Sequence, residues 1–175
     1  MKQRVILIAA ICAIAAFAQS PVEEPSSLNV FYRLETGKLV PLEQQTTKGS
    51  ELKHGFMSTK AAAVTQISGP QSPVRFPAGA MEFVVATATD PAVYSLRKLE
   101  VKKTKSSGTR ELLIVTAQAS MFGKAKVDSS GTAVALDFTR YGSASYKAAP
   151  RQPLVPGEYA FWRPDLPAVF CFGVD

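Results

Sequence analysis

An all-β fold, a single antiparallel β-sandwich, is what this 175-residue sequence predicts. Short apolar runs recur about every 8–15 residues, punctuated by Gly, Pro, Ser and Asp. Residues 132–141, TAVALDFTRY, alternate with period two: Val134, Leu136 and Phe138 on one face, Ala135, Asp137 and Thr139 on the other. No window sustains the 3.6-residue apolar stripe of an amphipathic helix.

The N-terminus precedes that domain. Residues 1–18, MKQRVILIAAICAIAAFA, combine a positive start (Lys2, Arg4), an apolar stretch from Val5 to Phe17, and small residues Ala16 and Ala18 before a cut at Gln19. This is the layout of a cleaved signal peptide, and its apolar stretch is short for a transmembrane helix. Cys12 raises a lipid anchor as the alternative, but it follows bulky Ile11 and apolar sequence continues beyond it. The expected organisation is 1–18 signal peptide, 19–27 polar Pro-rich tether and 28–175 β-sandwich domain. Cleavage leaves 18 basic against 14 acidic residues, and Cys171 as the sole thiol. An intrachain disulfide is then excluded, and Cys171 becomes the only possible disulfide link to another molecule. A chain of this size needs neither metal nor disulfide to hold a core.

The elements follow in order. LNVFYRL (28–34) and KLVPLE (38–43) flank a turn at ETGK, with Pro41 pushing the second segment to an edge. The polar stretch 46–60, TTKGSELKHGFMSTK, reads as a loop. AAVTQIS (62–68), PVRF (73–76) and MEFVVATA (81–88) read as strands. YSLRKLEVKK (94–103) and RELLIVTA (110–117) form a second hairpin, and 132–141, 144–150, 157–162 and 168–174 complete the set.

The stretch PLVPGEYAFW (153–162) carries the strongest local signature. Pro156 suits the second position of a turn, and Gly157 suits the third position of a type II turn. Tyr159 then opens a strand. The Leu-x-Pro-Gly-x-Tyr spacing resembles the tyrosine corner of immunoglobulin-like and fibronectin-like sandwiches, which implies a Tyr159 hydroxyl bonded back to backbone near Val155. If Tyr159 and Phe161 face the core, Ala160 and Trp162 face outward. Trp162 could then stack on a sugar or a partner, or lie under its own Pro-rich loop. Cys171, between Phe170 and Phe172, has no neighbour in sequence to activate it and reads as an inert thiol.

Catalytic and metal chemistry find little support. His54 is the only histidine. Ser58, Asp90 and Asp137 could join it, but no local motif places a nucleophile. One Cys and one His in the mature chain cannot make a zinc site, no phosphate-binding Gly loop or calcium-type acidic run is present, and no cofactor is expected. A glycosidase carboxylate pair lacks support in the sequence. The basic cluster is more concrete. Arg97, Lys98, Lys102, Lys103, Lys105 and Arg110 fall within 14 residues. On a hairpin they would make a positive ribbon for anionic polysaccharide or lipid headgroups, or serve as lysines protecting an exposed edge strand. Nucleic acid is disfavoured, with no recognition module to read it. An outer-membrane barrel is disfavoured by the lysine-rich hairpin, unequal strands and a chain ending Val-Asp.

Taken together, FYRLETGKLVPLE, SPVRFPAGAMEFVV, YGSASYKAAPRQPLVPGEYAFW and the terminal FGVD resemble small secreted all-β proteins of soil bacteria to which no activity is attached. The resemblance implies an exported sandwich and carries over no site residues. The expectation is a non-enzymatic binding module of the envelope or extracellular space, with an envelope or extracellular protein or anionic polysaccharide as partner. A loop-built hydrolase and a purely structural envelope subunit are the alternatives.

Overall fold

A computed structural model describes residues 23–54, 60–103, 108–119, 125–128 and 132–175; residues 1–18, expected to be a signal peptide, lie outside them. The described chain is almost entirely antiparallel β-structure, with one 3-10 turn at Pro91–Val93 and no helix long and apolar enough to cross a membrane. Two sheets pack face to face, as the alternation in the sequence predicts.

The smaller sheet is built from β1 (Phe31–Glu35), β2 (Lys38–Pro41), β7 (Phe83–Ala86), β12 (Leu136–Arg140) and β13 (Ser145–Pro150), in the order β12-β13-β7-β1-β2. Its first hairpin turns on Thr36 and Gly37, with φ of +48° and +83°. Two successive positive φ values are what a two-residue hairpin loop needs to follow strand twist. Pro41 ends the edge strand β2, where its missing N–H costs no ladder bond.

The larger sheet contains β3 (Glu43–Thr46), β4 (Lys48–His54), β5 (Lys60–Ser68), β8 (Ser95–Lys103), β9 (Gly108–Ala119), β14 (Gly157–Trp162) and β15 (Ala168–Val174), in the order β3-β15-β14-β8-β9-β5-β4. Short β6 (Arg75–Phe76), β10 (Ala125–Asp128) and β11 (Ala133–Val134) pair with β15, β9 and β8. The two ends of this order, β3 and β4, are separated in the chain by Thr47 alone. The sheet therefore curls until its ends are successive lengths of one segment, and it gains an inside of its own.

This curl corrects two expectations. Residues 48–54 are a strand rather than part of a loop, because their backbone pairs with β5, although residues 48–53 are all exposed, Leu52 included. Ala160 does not face solvent: both faces of β14 are sealed. One face, with Tyr159 and Phe161, joins Phe170 and Phe172 of β15 against Phe31 and Phe83 of the smaller sheet. The other face, with Ala160, meets Val169, Cys171, Leu99, Ile67 and Leu112 inside the curl. Along β8 the partners change: β14 and β11 flank Leu96 and Arg97, whereas Glu100–Lys103 pairs with β9.

At the 154–159 corner the Tyr159 hydroxyl donates to the Val155 carbonyl at 2.8 Å. Gly157 has φ +154°, not the value near +80° of a type II turn, and it is already the first residue of β14. A Cβ there would lie 2.7 Å from Lys98 Cε. The tether expectation also changes for its described part. Residues 23–27 lead into Leu28, which bridges to Ala86, and Glu24 is bonded to the domain.

Candidate functional site

Trp162 closes β14, paired with Ser95 of β8. It is half-buried, packed on the inner cluster of the curl, with the Arg97 guanidinium 5.2 Å from its ring centroid. Arg97 is itself buried, donating to the Leu113 carbonyl at 3.0 Å and to Ser95 Oγ at 3.3 Å. Burial pulls its pKa below the usual arginine value. Arg97 thus braces the indole from within and is not a surface cation.

Beyond the indole the chain turns through RPDLP. Arg163 grips Asp165 in a two-bond ion pair at 2.6 and 2.9 Å, and the Leu166 amide donates to the Arg163 carbonyl. A groove of about 450 Å³ opens here between Trp162, the 164–167 loop and the start of β4. Its polar lining consists of Thr47, Ser50, Thr65 and Asp165. Thr47 Oγ1 donates to the Pro167 carbonyl at 3.2 Å, and Thr65 Oγ1 to the Gly49 carbonyl at 2.7 Å. Both threonine protons are spent on backbone, so these hydroxyls keep only lone pairs for a ligand. With the Ser50 hydroxyl, which can donate or accept, and the Asp165 carboxylate, the groove sets mostly acceptor groups beside an aromatic ring.

The basic cluster does not assemble as a ribbon among the described residues. Arg110 has no exposed surface. It binds Glu43 through two bonds at 2.8 and 3.1 Å, donates to the Ser68 and Gly69 carbonyls, and lies 3.6 Å from Glu158. Glu158 in turn pairs with Arg75 at 2.7 Å, and Arg75 with Asp175 at 2.8 Å. A chain of alternating charges, Glu43–Arg110–Glu158–Arg75–Asp175, thus runs from inside the curl to the C-terminus. Burial is the largest influence on Glu43 and opposes its ionisation, but the bonds and charge of Arg110 together with bonds from Ser72 and Gln45 outweigh it and hold its carboxyl below the usual carboxylate range. Lys98 is exposed yet donates to the Pro156 carbonyl at 3.2 Å, and Lys102 pairs with Glu100 at 2.8 Å. The Lys103 side chain and Lys105 lie outside the described residues, as do Ser58 and the side chain of His54.

Cys171 is fully enclosed, so the disulfide link to a second molecule has no accessible sulfur. Burial pushes its thiol up to about 12 despite the pull of Arg110. Native protein should therefore leave Cys171 unmodified by a thiol reagent at pH 8, with labelling appearing only in denaturant. Fast labelling of Cys171 in the native state would show the inner cluster to be open.

Two carboxylates share one described pocket, of about 290 Å³: Glu100 and Glu111, paired across β8 and β9. Each is already bonded to a lysine, Glu100 to Lys102 and Glu111 to Lys53. No protein family, curated protein or solved structure matches the chain.

The Trp162 groove depends on residues the sequence pointed to only in part. Trp162 stood out as the lone tryptophan, whereas Thr47 and Ser50 had no signal because 46–60 reads as a polar loop, and Thr65, on a strand the sequence does show, had none because its neighbour β4 was unseen.

Proposed function

We propose that this chain is an exported, non-catalytic β-sandwich module that binds an envelope or extracellular glycan through the Trp162 groove. One observation carries the reading: a half-buried indole beside a groove lined by hydroxyls and a carboxylate. A ligand that satisfies it must bring donors and an apolar face to lie on the ring, which is the chemistry of a pyranose. The buried Arg97 and Arg110 shift the preference away from anionic polysaccharide and toward neutral glycans. Export rests on the 1–18 segment. The immunoglobulin-like comparison rests on the Leu154–Tyr159 corner, where the Tyr159–Val155 bond supports a tyrosine corner.

Because Trp162 is the only tryptophan, emission excited selectively from tryptophan reports on this groove. Titration with soluble neutral oligosaccharides is expected to change the emission saturably. Trp162→Phe should keep part of the binding seen by calorimetry, and Trp162→Ala should weaken it by about tenfold or more. No saturable change with any neutral glycan would overturn the ligand class. Release of reducing sugar from the same glycans would overturn the non-catalytic reading in favour of a hydrolase.

A further inference from the structure

In the smaller sheet, the turn between β12 and β13 gathers four donors on one carboxylate. Glu24 Oε1 accepts from the Ser143 amide and from Ser143 Oγ, both at 2.9 Å. Glu24 Oε2 accepts from the Ala144 amide at 3.2 Å and from Ser145 Oγ at 2.7 Å. Ser145 is fully buried, so its hydroxyl reaches the carboxylate from within the domain. Gly142 completes the cradle: a Cβ there would lie 2.2 Å from Glu24 Cδ.

The amides are aimed by Arg140. Its Nε donates to the Gly142 carbonyl at 2.9 Å, and its Nη2 donates to the Ser143 carbonyl. In a trans peptide the C=O and the following N–H point in opposite directions. Holding the Gly142 and Ser143 carbonyls on one side therefore presents the Ser143 and Ala144 amides on the other, toward Glu24. Consecutive amides set in this way make an anion-binding concavity.

We propose that residues 142–145 form a carboxylate receptor, with Arg140 as its positioning residue, whose ligand is an acidic side chain supplied in this chain by Glu24. The N-terminal segment is thereby latched to the smaller sheet, and a free carboxylate takes the same place once the Glu24 side chain is removed. The donors, the Ser143 amide foremost, hold the Glu24 carboxyl at about 2, so the latch stays charged across the ordinary pH range.

Chemical rescue in the full chain tests the receptor independently of the glycan reading. Glu24→Ala should lower Tm, and sodium acetate should restore much of the loss relative to sodium chloride at equal ionic strength. Wild type should gain nothing from acetate. Gly142→Ala leaves every donor in place but fills the carboxylate position. It should lower Tm to a similar extent, resist rescue, and add nothing to Glu24→Ala in the double variant. A peptide of residues 19–27 should bind the Glu24→Ala protein, and its Glu24→Gln version should not. An unchanged Tm in Glu24→Ala, no rescue by acetate, or equal rescue of Gly142→Ala would overturn the receptor.

Discussion

Replacing Arg110 with methionine is expected to cost about 3–5 kcal/mol of stability, the range for breaking a buried ion pair from one side. The substitution leaves Glu43 and Glu158 facing the inside of the curl without their shared cation. It also strands the Ser68 and Gly69 carbonyls that the guanidinium serves. For a chain of this size the loss corresponds to a Tm fall of about 6 °C or more. Urea unfolding measures it directly, and a change under about 1 kcal/mol would show the guanidinium to be solvated instead. The partner variant sharpens the test. Arg110→Met combined with Glu43→Gln should lose less than the sum of the two, with a coupling of about 0.5–3 kcal/mol. The acid limb follows with a definite sign. Glu43 has a folded pKa below its ordinary 4.5, so its contribution is fully present above that value and is lost as pH falls through the lowered one. In Arg110→Met that portion of the acid limb should move to higher pH.

Arg110 also shows where sequence reasoning stopped. A count of cations between 97 and 110 treats each as solvent-facing, because charge is visible in a sequence and burial is not. The partners that draw Arg110 inward, Glu43 and Glu158, are 67 and 48 residues away along the chain. No local pattern links them. The alternation over 134–139 was legible because half-burial writes itself as period two: Val134, Leu136 and Phe138 pack on the main core while Ala135, Asp137 and Thr139 are exposed, although the run divides between β11 on the larger sheet and β12 on the smaller. Strand β4 was not legible, because its pairing to β5 uses backbone groups that every residue carries. With β4 unseen, the closure of the larger sheet and the Trp162 groove beside it were unseen as well. The one hint lay in β15, whose run Val169–Val174 is buried on both faces, the mark of a strand with no solvent side.

Two neighbouring substitutions on β14 separate a sheet with one wet face from the curled sheet described above. Phe161→Ala is expected to cost about 3–5 kcal/mol, the range for deleting a buried aromatic ring. The ring stacks on Phe31 at 3.9 Å with an 8° interplanar angle and meets Phe83 edge-on at 4.9 Å, so it joins the two sheets across their shared core. That loss is common to any sandwich in which Tyr159 and Phe161 point inward. Ala160→Leu discriminates. On a solvated face it would fall within about 0.5 kcal/mol of wild type. Inside the curl, against Val169, Cys171 and Leu112, the added side chain has no room and should cost about 1–3 kcal/mol by overpacking. If Ala160→Leu proves neutral while Phe161→Ala is severe, β14 has one face in water and the inner cluster around Arg110 does not exist. If both destabilise, the larger sheet closes on itself, and Trp162, the last residue of the same strand, is held at the mouth of that closure by packing on one side and open to a ligand on the other.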